Sequence, residues 1–224
     1  MANELVFKTS ANIDSYSMPA ESDIPASRVD WTASPSKSAL LIHDMQNYFA
    51  RFYDEESELL RTTIKNIARL RQTAASLDIP IVYTAQPGDM TTTERGLLKD
   101  IWGPGMSSNP EDRDIIAALK PGENDTVLTK WRYSAFYDAP LQTILRDRGR
   151  SQLVICGVFS HVGCLVTAVE AFSLGIQPIW PIDAMADFSR EDHIMAAQYV
   201  SRNCGHVVST DTVVRQLESS QYDA

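Results

Sequence analysis

Asp44 follows the apolar run ALLIH (39–43), and Lys130 closes the run DTVLTK (125–130). An aspartate at the end of a buried run is costly unless it is hydrogen-bonded or paired with a cation. Neutralising Lys130, or capping the next segment, would meet that cost without any chemistry. Gln86 follows IPIVYTA (79–85), and the stretch it opens, QPGDMTTTERGLLKDIWGPGMSSNPE (86–111), carries Arg95 and Trp102. After SQLVICGV (151–158) come Phe159, Ser160 and His161, then Gly163 and Cys164. A helix N-terminus stabilises a thiolate, so Cys164 is the first residue to weigh as a nucleophile. Taken singly, each has a plainer reading. Asp44 could cap the next segment, Lys130 could be a solvated charge, and Arg95 an exposed loop residue. Trp102, beside Gly103-Pro104-Gly105, could anchor its own loop. Their shared position at one edge of a sheet is what points to a site.

The elements that must hold them follow from periodicity. Strands are expected at 39–43, 79–85, 125–130, 151–158, 176–183 and 206–210. Helices are expected at 55–77, 112–119, 140–148, 161–174, 190–203 and 211–220; in 161–174, Val162, Leu165, Val166, Val169 and Phe172 recur at helical spacing. Continuous apolar strands alternating with helices predict a three-layer α/β/α fold with a six-stranded, mostly parallel sheet of Rossmann-like build. Residues 1–38 are polar, contain Pro19, Pro25 and Pro35, and read as an N-terminal arm; residues 39–224 read as a single α/β domain. Ligands in such sheets bind beyond the carboxyl ends of the strands, so the long Gly- and Pro-rich segment 86–111 is expected at the site.

Composition excludes several classes. The 224 residues carry a net charge of −9 without a basic run, which argues against nucleic acid. An anionic ligand would have to be captured by a few local cations against that overall field. No apolar stretch is long enough to span a bilayer, and MANELVFKTS lacks an apolar signal core. Three cysteines, Cys156, Cys164 and Cys204, read as reduced thiols of a cytoplasmic protein. The histidines (His43, His161, His193, His206) are scattered, so no metal site is expected, and no Gly-rich nucleotide fingerprint is present.

The segments LLIHDMQNYF, YTAQPGDMTTTERGLLKDIWGPGM, LTKWRYSAF, CGVFSHVGCLVTAVEAF and IDAMADFSREDH resemble those of isochorismatases, and the likeness runs over nearly all of residues 15–215. The resemblance implies membership of a superfamily whose thiol enzymes, nicotinamidases among them, use an Asp, Lys and Cys triad. In those enzymes Cys stands six residues after the Gly of a Gly-Val pair; counted from Gly157, that position is Gly163. Cys164 comes one residue late, about 100° around a helix, and so reads as packing. Gly163 removes the attacking side chain and is expected to leave volume and a backbone N–H that can contact an anion.

The activity implied by the resemblance is hydrolysis of the enolpyruvyl vinyl ether of isochorismate, giving pyruvate and 2,3-dihydro-2,3-dihydroxybenzoate without a cofactor. It implies Asp44 as the general acid with Lys130 beside it. Lys130, Arg95 and Gln86 are expected on the carboxylates of a small dicarboxylate substrate, with Trp102 shielding the ring. Phe159 stands where many relatives have Tyr, so a hydroxyl must come from elsewhere, Ser160 or water, and a cis peptide is implied at Val158–Phe159. A free Asp, with a pKa near 3.9, is protonated in about one molecule per thousand at neutral pH. Raising it by about three units takes roughly 4 kcal/mol; burial and a dianionic substrate push that way, and Lys130 pushes against it.

An alternative keeps the mechanism on 2-amino-2-deoxyisochorismate, the substrate of the phenazine-type pathway. A nicotinamidase-like amidase would need a thiol at 163. A carrier-protein scaffold, as in siderophore assembly, would need an aryl carrier module that is not expected within this chain; a separate carrier protein and a homodimer remain as expected partners.

Overall fold

The computed structural model describes residues 13–219. Residues 1–12 of the expected arm, and residue 220 of the last expected helix, lie outside the described residues. Six strands, β1 (Ser38–His43), β2 (Ile81–Ala85), β3 (Thr126–Thr129), β4 (Gln152–Gly157), β5 (Gln177–Pro181) and β6 (His206–Val208), form one sheet in the order β3-β2-β1-β4-β5-β6. Every pairing is parallel, so the expected mostly parallel sheet is wholly parallel.

Alternation along each strand separates two apolar layers. Leu40, Ile42, Val154 and Cys156 face α1 (Glu58–Ser76), which contributes Ile67 and Leu70. Leu41, Leu153 and Ile155 face the other layer. There they meet α2 (Leu141–Asp147), α3 (Leu165–Ser173) and α4 (Arg190–Asn203) through Leu145, Ala168 and Ala197. The last helix, α5 (Thr210–Ser219), lies on the α1 side through Val213 and Leu217. Strands buried on both faces can be apolar at every position, which is why they read as unbroken runs.

Two expected helices differ. Residues 112–119 form one helical turn at Pro110–Arg113 and a 3₁₀ turn at Ala117–Leu119. Between them Ile115 pairs with Gln46 in an isolated antiparallel bridge, which holds the backbone extended. The expected helix 161–174 starts as a wide π-type turn at Ser160–Cys164, where the Cys164 N–H donates to the Phe159 carbonyl (3.3 Å), before α3 begins. Segment 86–111 also contains short helices, Thr92–Arg95 and Leu98–Trp102, the first closed by a Thr91/Glu94 capping box.

The described part of the arm lies along its own chain. Arg28 N–H donates to the Ser201 carbonyl, Ser34 N–H to Gln152 Oε1, and Ala33 N–H to Gln216 Oε1. Tyr16 is the most connected contact: its hydroxyl accepts from the Asp187 N–H (2.8 Å) and donates to His193 Nδ1 (3.1 Å). The tautomer follows from the other ring nitrogen, which donates to the Ile182 carbonyl at 2.9 Å. Burial pushes His193 down to about 4, so it is neutral at pH 7. A buried neutral histidine binds its proton more readily once unfolded, so its stabilisation is complete above about pH 6.5 and is lost as pH falls towards 4. Urea midpoints measured between pH 7 and 4 should therefore drop. His193→Asn should flatten the curve in that window by up to roughly 3 kcal/mol, and an unchanged slope would refute the assignment.

Candidate active site

Strand register assembles the site. His43 lies opposite Thr84 of β2 on one side and Gly157 of β4 on the other, while Ala85 lies opposite Thr129. The residues just past these ends, Asp44, Gln86 and Lys130, therefore share one edge. In this strand order the chain runs outward from β1 to β3 and then crosses back to β4. The β1/β4 boundary is thus the switch point where the crevice opens.

Asp44 is buried and sits at φ 51°, a left-handed conformation that aspartate tolerates better than most residues. Its Oδ2 accepts from Lys130 Nζ at 2.8 Å and from Gln86 Nε2 at 3.3 Å. Its Oδ1 accepts from the Thr84 hydroxyl at 2.6 Å, and that hydroxyl in turn accepts from the Asp44 N–H. Burial pushes this carboxyl up, but Lys130 and the converging hydrogen bonds outweigh it and hold the acid below its ordinary value. Lys130 is the cation responsible. His43, Nδ1 of which is 3.8 Å from Asp44 Oδ2, is pushed down to about 4 by burial and is neutral at pH 7. The resting acid is therefore ionised.

Gln86 is a hub. Its amide N–H donates to Gln46 Oε1, its carbonyl accepts from Gln46 Nε2, and its side-chain oxygen accepts from Arg95 Nη1 at 3.2 Å. Arg95 is buried, and its Nε donates to the Gly103 carbonyl, which ties the short helix 92–95 to the Gly-Pro-Gly turn. Trp102 donates to the Tyr133 hydroxyl (2.7 Å) and stacks on Phe188, which stacks in turn on Phe159 at 4.2 Å. The Val158–Phe159 peptide is cis, as the resemblance implied.

These side chains line a cleft that, with the solvent at its open mouth, takes in about 840 Å³. Asp44, Gln86, Arg95, Trp102, Lys130, Phe159 and Gly163, the residues singled out from the sequence, all line it. Arg132, Tyr133, Tyr48, Phe52 and Phe188 line it too and were not singled out; Thr84, which holds the acid, was missed as well. Arg132 and Tyr133 belong to the strand end Lys130-Trp131-Arg132-Tyr133, which stands out in the sequence as polar, but neither is assigned a role from sequence. Phe188 lies within IDAMADFSREDH, where nothing marks it out singly; its stacks on Trp102 and Phe159 bring it to the cleft.

Two expectations need correction. Gly163 does not leave open volume: a Cβ there would sit 2.2 Å from His43 Cε1, so the imidazole already fills that space. Ser160 does not replace a Tyr hydroxyl, since its Oγ is buried without a hydrogen bond and lies outside the cleft lining; the tyrosines that line it are Tyr48 and Tyr133. Cys164, as expected, belongs to the core, fully buried beside Ala168, with burial holding its thiol well above the ordinary range.

Three cations, Arg95, Lys130 and Arg132, face the cleft against one carboxylate, Asp44. Among the described residues neither arginine is paired with a carboxylate. A chain of charge −9 thus concentrates positive charge in this cleft. The described residues contain no cluster of His, Cys, Asp and Glu able to hold a metal, and no described helix is long and apolar enough to cross a membrane.

Residues 38–212 match the model of the isochorismatase domain. The chain belongs to the isochorismatase family. The Bacillus subtilis isochorismatase is 45% identical over 94% of this chain and 68% of its own. Phenazine biosynthesis protein PhzD of Pseudomonas fluorescens is 48% identical over 89% of this chain and 95% of its own. A solved cysteine hydrolase from Pseudomonas syringae superposes with a TM-score of 0.78 at 23% identity, covering 88% of this chain and 98% of that one; it shows the shared fold. As a family member the chain is a hydrolase of the isochorismatase type.

Removing the cation should invert the behaviour of the acid. In the native protein Asp44 contributes stability that is present above its unfolded value near 3.8 and is lost as pH falls below it. In Lys130→Met burial is opposed only by the Thr84 and Gln86 hydrogen bonds and no longer by an ammonium, so the Asp44 carboxyl should rise above its ordinary value, and stability should decline as pH rises through that raised value. The loss at pH 7 is expected at about 3–5 kcal/mol. Infrared detection of a protonated carboxyl, absent in Lys130→Met/Asp44→Asn, checks the assignment.

Proposed function

We propose that this protein hydrolyses the enolpyruvyl vinyl ether of isochorismate, with Asp44 as the general acid. The observation that carries the reading is the Asp44–Lys130 pair at 2.8 Å, buried at the base of a cleft that presents two further guanidinium groups. A substrate with two carboxylates matches that charge. The relative named isochorismatase supports the same choice.

The chemistry requires a proton on the terminal vinyl carbon. Asp44 rests ionised, so the proton must come with binding. A substrate carboxylate that draws on Lys130 weakens the hold of the ammonium on Asp44 and adds negative charge nearby; both raise the carboxyl pKa. Asp44 then gives its proton to the methylene carbon, producing a methyl group and an oxocarbenium ion. It next takes a proton from the water that adds to that cation. The hemiketal collapses as its hydroxyl proton passes to the departing ring oxygen, giving pyruvate and the ring diol. One water is consumed, and Asp44 ends protonated until product leaves. Arg95 and Arg132 supply planar forks for carboxylates, and the Trp102–Phe188–Phe159 stack covers the ring and limits water.

A second reading, 2-amino-2-deoxyisochorismate, is favoured by the likeness to PhzD. Against it, the cleft offers an ammonium group no carboxylate other than Asp44, which Lys130 already engages. A cytoplasmic homodimer, and docking of a separate aryl carrier protein, belong to the proposal on the resemblance alone; size-exclusion chromatography and pull-down address them.

Purified protein given each substrate in turn should release pyruvate faster from isochorismate. Asp44→Asn should lower kcat by about 10²–10⁴-fold, the usual contribution of a general acid. Near-native turnover by that variant, or no pyruvate from either substrate, would sink the reading.

A further inference from the structure

Gly163 and His43 are two halves of one feature. His43 ends β1 with its side chain fully buried. Its Nδ1 must carry the proton, because it lies 2.9 Å from the Val158 carbonyl, which can only accept. That bond fixes the ring plane. The Nδ1–Cε1–Nε2 side of the ring then faces residue 163, with Cε1 2.2 Å, Nε2 2.8 Å and Nδ1 3.2 Å from where a Cβ would stand. Real Cβ contacts do not come that close, and the ring cannot swing aside without breaking the Nδ1 bond to the Val158 carbonyl. Nε2 has no hydrogen-bond partner of its own. The bond at Nδ1 orients the ring but does not account for a histidine at this position. What it does accomplish is steric: it fills the wall of the cleft behind Gly163, next to Asp44.

We propose that His43 is a reaction-determining residue, which occupies the volume of a side chain at 163 and so excludes a thiol nucleophile from a fold that could otherwise hold one beside Asp44 and Lys130. The two positions are coupled. A side chain at 163 is incompatible with His43, and a small residue at 43 admits one. The inference rests on the reading that the site works without a thiol, but its tests do not measure pyruvate. A failure of the vinyl-ether reading therefore leaves them interpretable.

The first test is a thermal-unfolding cycle. Gly163→Ala should lower Tm by about 5 °C or more in the native background, as overpacking of a rigid core does in a chain of this size. In a His43→Ala background the same substitution should leave Tm unchanged or raise it. Equal losses in both backgrounds would overturn the coupling. The second test adds chemistry that packing alone would not alter. Gly163→Cys/His43→Ala, treated with iodoacetamide under native conditions, should be alkylated at the introduced thiol, with Cys156, Cys164 and Cys204 protected by burial. Gly163→Cys alone should either fail to fold or be alkylated at least tenfold more slowly. Equal alkylation of two folded proteins, mapped by mass spectrometry, would defeat the proposal; if neither folds, the alanine cycle decides.

Discussion

The site depends on one buried ion pair. Taking a carboxylate and an ammonium out of water costs several kcal/mol each, and their attraction offsets this only with good geometry and further hydrogen bonds. Here the geometry comes from the sheet. Parallel register sets Lys130 beside the end of β2, with its N–H on the Ala85 carbonyl, and sets Asp44 beside the same strand through Thr84. Thr84 and Gln86 then occupy the remaining carboxylate lone pairs. The pair is held by three adjacent strand ends, and loosening any of them would leave a buried charge without its partner.

That arrangement also explains how a net negative chain recognises an anion. The 29 acidic residues against 20 Lys and Arg set the far field. Inside the cleft the balance reverses, because its one carboxylate among the described residues is already matched by Lys130 while Arg95 and Arg132 bond to neutral oxygens. Arg95 is positioned by Gln86 and the Gly103 carbonyl, and neither cancels its charge. Its approach to the Gly-Pro-Gly turn is close enough that a Cβ at Gly105 would lie 3.0 Å from the guanidinium carbon. The turn that looks like loop punctuation is therefore a seat for a binding residue.

What was legible in the sequence was what one-dimensional pattern encodes. Unbroken apolar runs gave the parallel sheet, and polar residues at the ends of those runs gave Asp44, Gln86 and Lys130. Arg95, Trp102, Phe159 and Gly163 came from family motifs, since an arginine in a loop or a phenylalanine after a strand has no chemistry of its own to announce. Thr84 was hidden because a threonine inside a strand is ordinary, and only register turns its hydroxyl towards Asp44. Phe188 was hidden because its role is a stack between residues far apart in the chain. Residues 112–119 misled for a related reason: their helical spacing was overridden by the pairing of Ile115 with Gln46.

Gly163 shows most clearly what sequence withholds. A missing side chain reads as empty space, yet a densely packed interior rarely leaves a void, and the occupant must come from another element. Gly157, directly opposite His43, lets the β4 backbone approach so closely that a Cβ there would lie 2.2 Å from the His43 carbonyl. His43 is thus pinned at its backbone by β4, and at its ring by the Val158 carbonyl just after β4. Nothing on β1 alone turns the imidazole towards residue 163; the close approach of two strand ends does. The same closeness places Asp44, the next residue, at the floor of the cleft. One packing constraint therefore fixes both the presence of the acid and the absence of room for a nucleophile.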